Sequence, residues 1–484
     1  MDYSPISTMK KLYNSQAIKH IDRCAASYLK VSSFELMQQA AQAVYSYVQH
    51  EEKILIVTGV GNNAGDGFVM ATLALENQQR IQVWSLVTVD KLPADAKKAA
   101  RLYKAKGGEI IYEAPIEPFN CVVDAIFGTG LNRKVSGEFA SAIGWINQQS
   151  SPVLAVDIPS GLDASTGVIQ GCCVKADKTI TLLNPKIGLH TNWGKNQCGQ
   201  VYLEALAVPD EVYDEVESSC FLLDKQALSH RIFKRNENSH KGSFGAVVVV
   251  GGHDAMFGAL VLSGQSVLRS GAGLVEVVSN HKLACLISIA QPDLIAAIDL
   301  ASSRLLSKAE VLAIGPGLGL NQESRDVLDY CLNQKKRMVI DADALTLIAQ
   351  QNEFNGDVVL TPHPKEAASL LQVSIETIQS NRVKYALEIS KKYNSIVVLK
   401  GSGTVIAQPC GTTYVCPFGY SGMATAGMGD VLTGIIAGLM AQGFSSIDAA
   451  NTAVVWHAQA AQACNKGTGL MASDVIDKLP EIIQ

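Results

Sequence analysis

The chain contains no C-x-x-C pair. Its eleven cysteines are scattered over 484 residues, with only Cys172 and Cys173 adjacent, so neither a disulfide framework nor a zinc site is expected. No charge excess stands out. A formal net charge of −5 argues against a nucleic-acid binder that works by neutralising many phosphates, and no polybasic run suggests an anchor on a membrane surface. The start, MDYSPISTMKKLYNSQAIKH, has no apolar core of signal-peptide type. The apolar, glycine-rich stretch 422–442 is interrupted by Asp430, so no membrane span is expected and the chain reads as cytoplasmic. Internal repeats and low-complexity tracts are also missing. What remains is the profile of a globular protein, 48% hydrophobic and 18% charged, long enough for two to four domains at ordinary domain size.

The first half alternates apolar, β-branched runs with helical patterns. KILIVT (53–58), IQVWSLV (81–87), CVVDAI (121–126), VLAVD (153–157) and KTITLL (178–183) read as buried strands. Upstream, SSFELMQQAAQAVYSYV carries a capping-box pattern from Ser32 to Glu35 and puts Met37, Ala40, Ala41, Val44 and Val48 on one face. Continuous apolar strands alternating with helices predict an α/β fold, a mostly parallel sheet covered on both faces, with ligands at the carboxyl ends of the strands.

Behind the first strand lies TGVGNNAGDG (58–67). Gly59, Gly61 and Ala64 satisfy the dinucleotide pattern G-x-G-x-x-G/A, but any strand-to-helix turn favours glycine, so the match alone is weak. A carboxylate in such a turn would repel a phosphate, and Asp66 is read either as a helix cap or as part of a different site. VTGVGNN, VDAIFGTG and VDIPSG each run from a strand into a glycine or proline turn, so Asn63, Asp124, Asp157 and Ser160 should gather at one rim, which fold alone does not require.

Around 205–240 the pattern breaks into acidic PDEVYDEVESS and basic HRIFKRNENSHKG. The boundary is placed near 217, giving domains 1–216 and 217–484. The alternation then resumes in GAVVVVGG, GLVEVVS, VLAIGPGLG, RMVIDADAL, DVVLTPHPKE and SIVVLKGSGT, and two long helical patterns close the chain. GYSGMATAGMGDVLTG sets Gly427, Gly429 and Asp430 at a helix start, where backbone N–H groups can receive phosphate and an aspartate can take a proton from a hydroxyl. The bland alternative is that Asp430 caps the helix. LKGSGT (399–404) is a glycine hairpin carrying a lysine, suited to a nucleotide's phosphates. Lys241 in NSHKGSFG is expected to cover the same crevice.

The motifs HKGSFG, VVGG, GPGLG, DADAL, LTPHPKE, KGSGT and GMATAGMGDVLTG, in this order, resemble the ADP- or ATP-dependent NAD(P)H-hydrate dehydratases, whose fold is ribokinase-like. GNNAGDG, VDAIFGTGLNRKVSG and DIPSGLDASTG resemble the NAD(P)H-hydrate epimerases, so the whole chain is similar to the bifunctional repair enzymes. The resemblance implies an N-terminal Rossmann-like domain and a C-terminal ribokinase-like one. It implies that Asn62, Asn63, Ala64, Gly65, Asp66 and Asp157, with Gly128, Thr129, Gly130, Leu131, Asn132, Arg133 and Lys134, contact the hydrated nicotinamide nucleotide. Asn63, Asp124 and Ser160 would hold potassium, for which their oxygens are suitable hard ligands.

In the second half it implies that Ala259, Gly317, His363 and Asp430 hold the hydrate and that Lys400, Gly401, Ser402, Gly403, Thr404 and Gly429 hold ADP or ATP. Glu366 would help to place magnesium. Asp124 or Asp157 would move protons during epimerisation, and Asp430 would activate the substrate hydroxyl. A homo-oligomer acting on small molecules is expected. Ala64 and Ala426 replace glycines common in the family, and a methyl is accommodated there if both backbones keep negative φ. A second class stays open: a ribokinase-type small-molecule kinase fused to a non-catalytic nucleotide-binding module, which would leave a stable phosphorylated product rather than free phosphate.

Overall fold

The computed structural model describes residues 10–214, 216–228, 235–253, 256–279, 286–350 and 353–483. Residues 1–9 of the opening stretch and 229–234 of the basic stretch lie outside the described residues. The chain divides into two compact units, Lys10–Phe221 and Leu222–Gln484.

The first unit is built on seven parallel strands, β1 (Lys53–Thr58), β2 (Arg80–Ser85), β3 (Ile110–Ile111), β4 (Cys121–Ala125), β5 (Val153–Val156), β6 (Lys178–Leu182) and β7 (Gln200–Glu204). They run in the order β3-β2-β1-β4-β5-β6-β7. The order reverses between β1 and β4, whose residues pair from Ile54↔Cys121 to Thr58↔Ala125. In a doubly wound sheet such a switch point opens a crevice at the strands' carboxyl ends. One apolar layer joins Met37, Ala41 and Val44 to Ile54, Ile56, Phe68 and Val123, and the other joins Leu55, Val57 and Val122 to Ile143 and Ile146. The helix Ser33–Tyr45 starts with the capping box of Ser32 and Glu35. Met37, Ala40, Ala41 and Val44 are buried because spacings of three and four keep them on one face, and Val48, in the turn after the helix, is buried with them. β3 and β7 are additional to the strands read from sequence. β3 is only two residues long, and none of QVYLE is buried, which suits an edge strand rather than a continuous apolar one.

A ten-stranded sheet is formed by β8 (Cys220–Leu222), which spans the boundary at 221/222, and, in the second unit, β9 (Ala246–Val250), β10 (Leu274–Val278), β11 (Ile295–Ala297), β12 (Val311–Ile314), β13 (Arg337–Ile340), β14 (Val358–Leu360), β15 (Ile396–Leu399), β16 (Thr404–Ala407) and β17 (Thr413–Cys416). Their order is β11-β10-β9-β12-β13-β14-β15-β16-β17-β8. The strands from β11 to β15 are parallel, while β15, β16 and β17 are joined antiparallel. The helix Met428–Ala441 begins after Gly427, whose φ of 87° suits glycine.

Lys241 does not reach the crevice expected for it. A Cβ on Gly245 would lie 2.2 Å from the Ala441 carbonyl oxygen, at the far end of the helix that begins at Met428, about 20 Å away at 1.5 Å per residue. The HKGSFG turn precedes β9 and so lies at the opposite edge of the sheet from the strands' carboxyl ends.

Candidate active sites

In the first unit the turn after β1 passes directly against the turn after β4. A Cβ on Gly59 would stand 2.2 Å from the Ile126 carbonyl oxygen, so only glycine fits. The helix Asn62–Glu76 follows with Gly61 at its cap and no side-chain capping bond. Asp66 therefore does not cap this helix. It lies one turn in and faces a cavity of about 700 Å³, a size suited to a small-molecule ligand.

Asn62, Asn63, Asp66, Gly128, Thr129, Gly130, Leu131, Asn132, Arg133 and Asp157 all line this cavity. Ala64 and Gly65 instead face the protein interior: Ala64 is buried, and a Cβ on Gly65 would meet the Met37 sulfur at 2.5 Å. Ala64 is absent from the residues with positive φ, so its methyl costs no backbone strain. Lys134 is exposed and outside the lining.

Asp124 and Ser160 lie behind the cavity wall. The Asp124 carboxylate accepts bonds from the Ser160 hydroxyl at 2.6 Å, the Ser160 N–H at 2.7 Å and the Ile126 N–H at 3.2 Å. The same hydroxyl oxygen accepts the Phe127 N–H at 2.8 Å, tying down the turn after β4. Burial pushes the Asp124 carboxyl up to about 6, against the pull of those hydrogen bonds. Asn63 is also buried, its amide donating to the Val156 carbonyl at 3.3 Å. Gly128 is adjacent, its notional Cβ being 3.6 Å from the Asn63 Oδ1.

Asp157 ends β5 with φ of 68°, a conformation that costs a non-glycine residue about 1–3 kcal/mol and gathers at functional sites. Its carboxylate is ion-paired with Lys186, accepts the Leu182 N–H at 3.1 Å, and shares Lys186 with the Leu182 carbonyl at 2.8 Å. Lys186 is fully buried. Asp22, on the helix Ser15–Leu29, completes the acidic wall. Burial, then Asp157, push its carboxyl up to about 6 while Lys186 opposes. Burial, then Asp157 and Asp22, hold Asp66 well above the usual carboxylate range. Sequence reasoning missed Asp22 and Lys186. The available signals were the placement of Asp22 beside the apolar positions of its helix and of Lys186 in the turn directly after β6.

In the second unit, four elements converge at the carboxyl ends of β13, β14 and β15. Asp341, following β13, binds the Lys400 ammonium at 2.7 Å and the Thr433 hydroxyl at 2.7 Å. Although burial opposes it, Lys400 with hydroxyl bonds from Thr433 and Thr361 keeps the Asp341 carboxyl below the usual range. Lys400 to Gly403 form the turn between β15 and β16, and Arg382 supports it from beneath through the Leu399 and Lys400 carbonyls at 3.0 and 3.1 Å. Gly429 abuts the lysine, its notional Cβ lying 3.2 Å from the Lys400 Nζ.

Asp430 stands beside this pair in the first turn of Met428–Ala441 and makes no capping bond. Burial, then Asp341, push its carboxyl up to about 7, with Lys400 opposing. Glu366 lies 3.9 Å from Lys400 and is pushed up to about 7, chiefly by burial. His363 caps the helix Pro364–Leu371, its Nδ1 accepting the N–H groups of Lys365 and Glu366 at 3.1 and 3.2 Å. Ala259 lies in the first turn of Phe257–Arg269. Gly317 has φ of 62° and packs against Met256. Ala426, like Ala64, is absent from the positive-φ residues. Asp341, Thr433 and Arg382 were not singled out from the sequence, since their roles arise only when strand ends and a distant helix meet.

Two family models match the chain: one described as NAD(P)H-hydrate dehydratase over residues 247–483, and one described as YjeF-related protein N-terminus over 33–188. The chain is 36% identical to the bifunctional NAD(P)H-hydrate repair enzyme of Coxiella burnetii, covering 98% of this chain and 100% of that protein. It is 35% identical to the enzyme of the same name from Escherichia coli, covering 100% and 96%. Among solved structures, a ribokinase-like superfamily protein of Enterococcus faecalis matches with a TM-score of 0.51 at 30% identity, covering 55% of this chain and 95% of that one. Among the described residues no helix is long and apolar enough to cross a membrane.

Proposed function

The chain belongs to the bifunctional NAD(P)H-hydrate repair enzymes, and we propose that its two units divide the work at the two sites described. The first unit interconverts the R and S forms of NADH and NADPH hydrated at carbon six. The second dehydrates the S form at the expense of ADP or ATP. The observation that carries the division is the pairing of a large acid-lined cavity in one unit with a lysine- and glycine-lined helix start in the other.

The cavity supplies Asn62, Asn63, Asp66, Asp157 and the turn 128–133 to bind the hydrate. Asp124 is better suited to a cation than to proton transfer, because it lies behind the wall and its hydrogen bonds to Ser160 and Ile126 hold the loops together. It is a buried carboxylate with no ion pair among the described residues, and the oxygens of Asn63 and Ser160 complete a hard donor set that fits potassium. The ion would supply a fixed positive charge. Of Asp124 and Asp157, Asp157 is then the residue placed to meet the substrate.

In the second unit Lys400 and the turn to Thr404 would bind the nucleotide's phosphates, with Gly429 in the N–H cradle of the helix start. Asp430 takes the proton of the substrate hydroxyl as its oxygen receives a phosphoryl group. Phosphate then leaves carbon six with the C–O bonding pair, and loss of a ring proton restores the dihydropyridine. Glu366, with nucleotide phosphates, fits magnesium, which binds through few carboxylates and would offset phosphate charge.

The reading places the protein in the cytoplasm with the reduced nicotinamide nucleotides, as a homo-oligomer whose state sedimentation would report. Its test is the incubation of mixed R and S hydrate with ADP or ATP, with and without potassium. The expected result is full recovery of dihydronicotinamide absorbance with one phosphate released per molecule repaired. A stable phosphorylated product would support the kinase alternative instead.

A further inference from the structure

We propose that Asp22 is a catalytic residue of the first unit, exchanging a proton with the hydroxyl at carbon six of the hydrate. The inference rests on the epimerase reading of this cavity and adds a residue outside every motif that suggested it.

Ile18, Lys19, Asp22, Arg23 and Ala26 all line the cavity. Their spacing of three and four residues means that one face of the helix Ser15–Leu29 forms a wall of it. Asp22 is the one acid on that face, and Asp66 and Asp157 line the same cavity from other elements. The three carboxylates differ in their partners. Asp157 is committed to Lys186 and the Leu182 N–H. Asp22 and Asp66 accept no hydrogen bond and close no ion pair among the described residues, although Arg23, Lys19, Arg133 and Lys186 also line the cavity. A carboxyl group left unpartnered in a partly apolar cavity beside two other acids is favoured as the neutral acid, in keeping with the elevated position of Asp22 near 6.

The chemistry needs such a group. The hydroxyl leaves as water when a carboxylic acid gives it a proton, the C–O bond breaks, and the ring nitrogen lone pair forms a C=N bond to carbon six. Water then adds to the other face, the C=N electrons return to nitrogen, and a carboxylate takes the proton released. The reaction is balanced without any co-reactant. It requires one group that gives a proton and one that takes a proton, and Asp22 and the ion-paired Asp157 face the cavity from different elements.

The test compares full-length wild type, Asp22→Asn and Asp22→Glu for R-to-S conversion and for exchange of the hydroxyl oxygen with labelled water. Asp22→Asn is expected to lower kcat of both processes about a hundredfold with KM for the hydrate within about threefold, while S-hydrate dehydration by the same chain is unchanged. Asp22→Glu keeps the acid and should retain at least about tenfold more activity than Asn. Wild-type-like conversion in Asp22→Asn overturns the proposal, as does equal activity of Asn and Glu variants, which would mark a packing role. Wild type that neither interconverts the hydrates nor exchanges oxygen overturns the epimerase reading itself.

Discussion

Replacing Asp430 with asparagine keeps the shape of the side chain and removes the ability to accept a proton. The structure sets two effects in opposite directions. As the base, Asp430 should contribute about 10² or more to the rate, so dehydration of the S hydrate should fall at least about a hundredfold while nucleotide and hydrate still bind. For stability, the carboxyl is raised from 3.8 to about 7, mainly by burial. The folded protein then holds this proton more tightly than the unfolded chain, so the aspartate costs nothing below pH 3.8 and its cost grows until the pH passes about 7. Asparagine escapes that cost. At 1.36 kcal/mol per pH unit the ceiling is about 4 kcal/mol, and partial exposure of the group reduces this to about 2–4 kcal/mol at pH 8. The variant should therefore be slower and more stable, with the stability gain vanishing towards pH 4. Thermal unfolding across pH 4–8 and single-turnover phosphate release measure the two effects. Wild-type kcat/KM should rise with pH to a plateau above about 7, since the free base is the active form. A less stable variant with near-normal turnover would refute the reasoning and restore the capping role, for which no bond is seen.

Asp124→Ala leaves the Ser160 N–H without its buried acceptor, which costs about 1–3 kcal/mol, while the hydroxyl keeps the Phe127 carbonyl at 3.3 Å; it should abolish potassium dependence of epimerisation and spare S-hydrate repair, and equal loss of both activities would indicate misfolding instead. Lys186→Met strands the Asp157 carboxylate and should lower the unfolding free energy of the first unit by about 3–5 kcal/mol, measured by denaturant titration; an unchanged midpoint would mean that the ion pair does not form in solution. Separate chains 1–216 and 222–484 should each fold and keep one activity, and failure of both to give cooperative unfolding would show that the units share a core.

Legibility followed the length scale of the interactions. Five strands of the first unit could be read because each is a run of apolar residues, and the capping box of Ser32 and Glu35 is written within four positions. The turns after β1, β4 and β5 were legible as a rim because parallel strands place all their carboxyl ends together. Which side of a turn faces the ligand was not. Asn62, Asn63 and Asp66 face the cavity while Ala64 and Gly65 pack inward, a division set by helix phase and by neighbours such as Met37. The Lys241 turn misled for a related reason: glycines and a lysine before a strand look the same at either edge of a sheet, and only the packing of Gly245 on Ala441 fixes the edge. Asp22 and Lys186 are 164 positions apart, and no local pattern announces that they line one cavity.

The two sites arrive at one electrostatic arrangement on different folds. In each, a lysine is hydrogen-bonded to one aspartate, Lys186 to Asp157 and Lys400 to Asp341, and another acid, Asp22 or Asp430, stands nearby with no hydrogen bond or ion pair among the described residues. Burial is the first influence on Asp22 and on Asp430, ahead of the opposing pull of the lysine, and brings them to about 6 and about 7. That is the range in which a group can give up or accept a proton at neutral pH with little energy lost in either direction. At a carbon bearing nitrogen the lone pair helps either leaving group depart, so a proton given to the hydroxyl by Asp22 in one unit, and a proton taken from it by Asp430 as phosphate is attached in the other, would both open the same C–O bond.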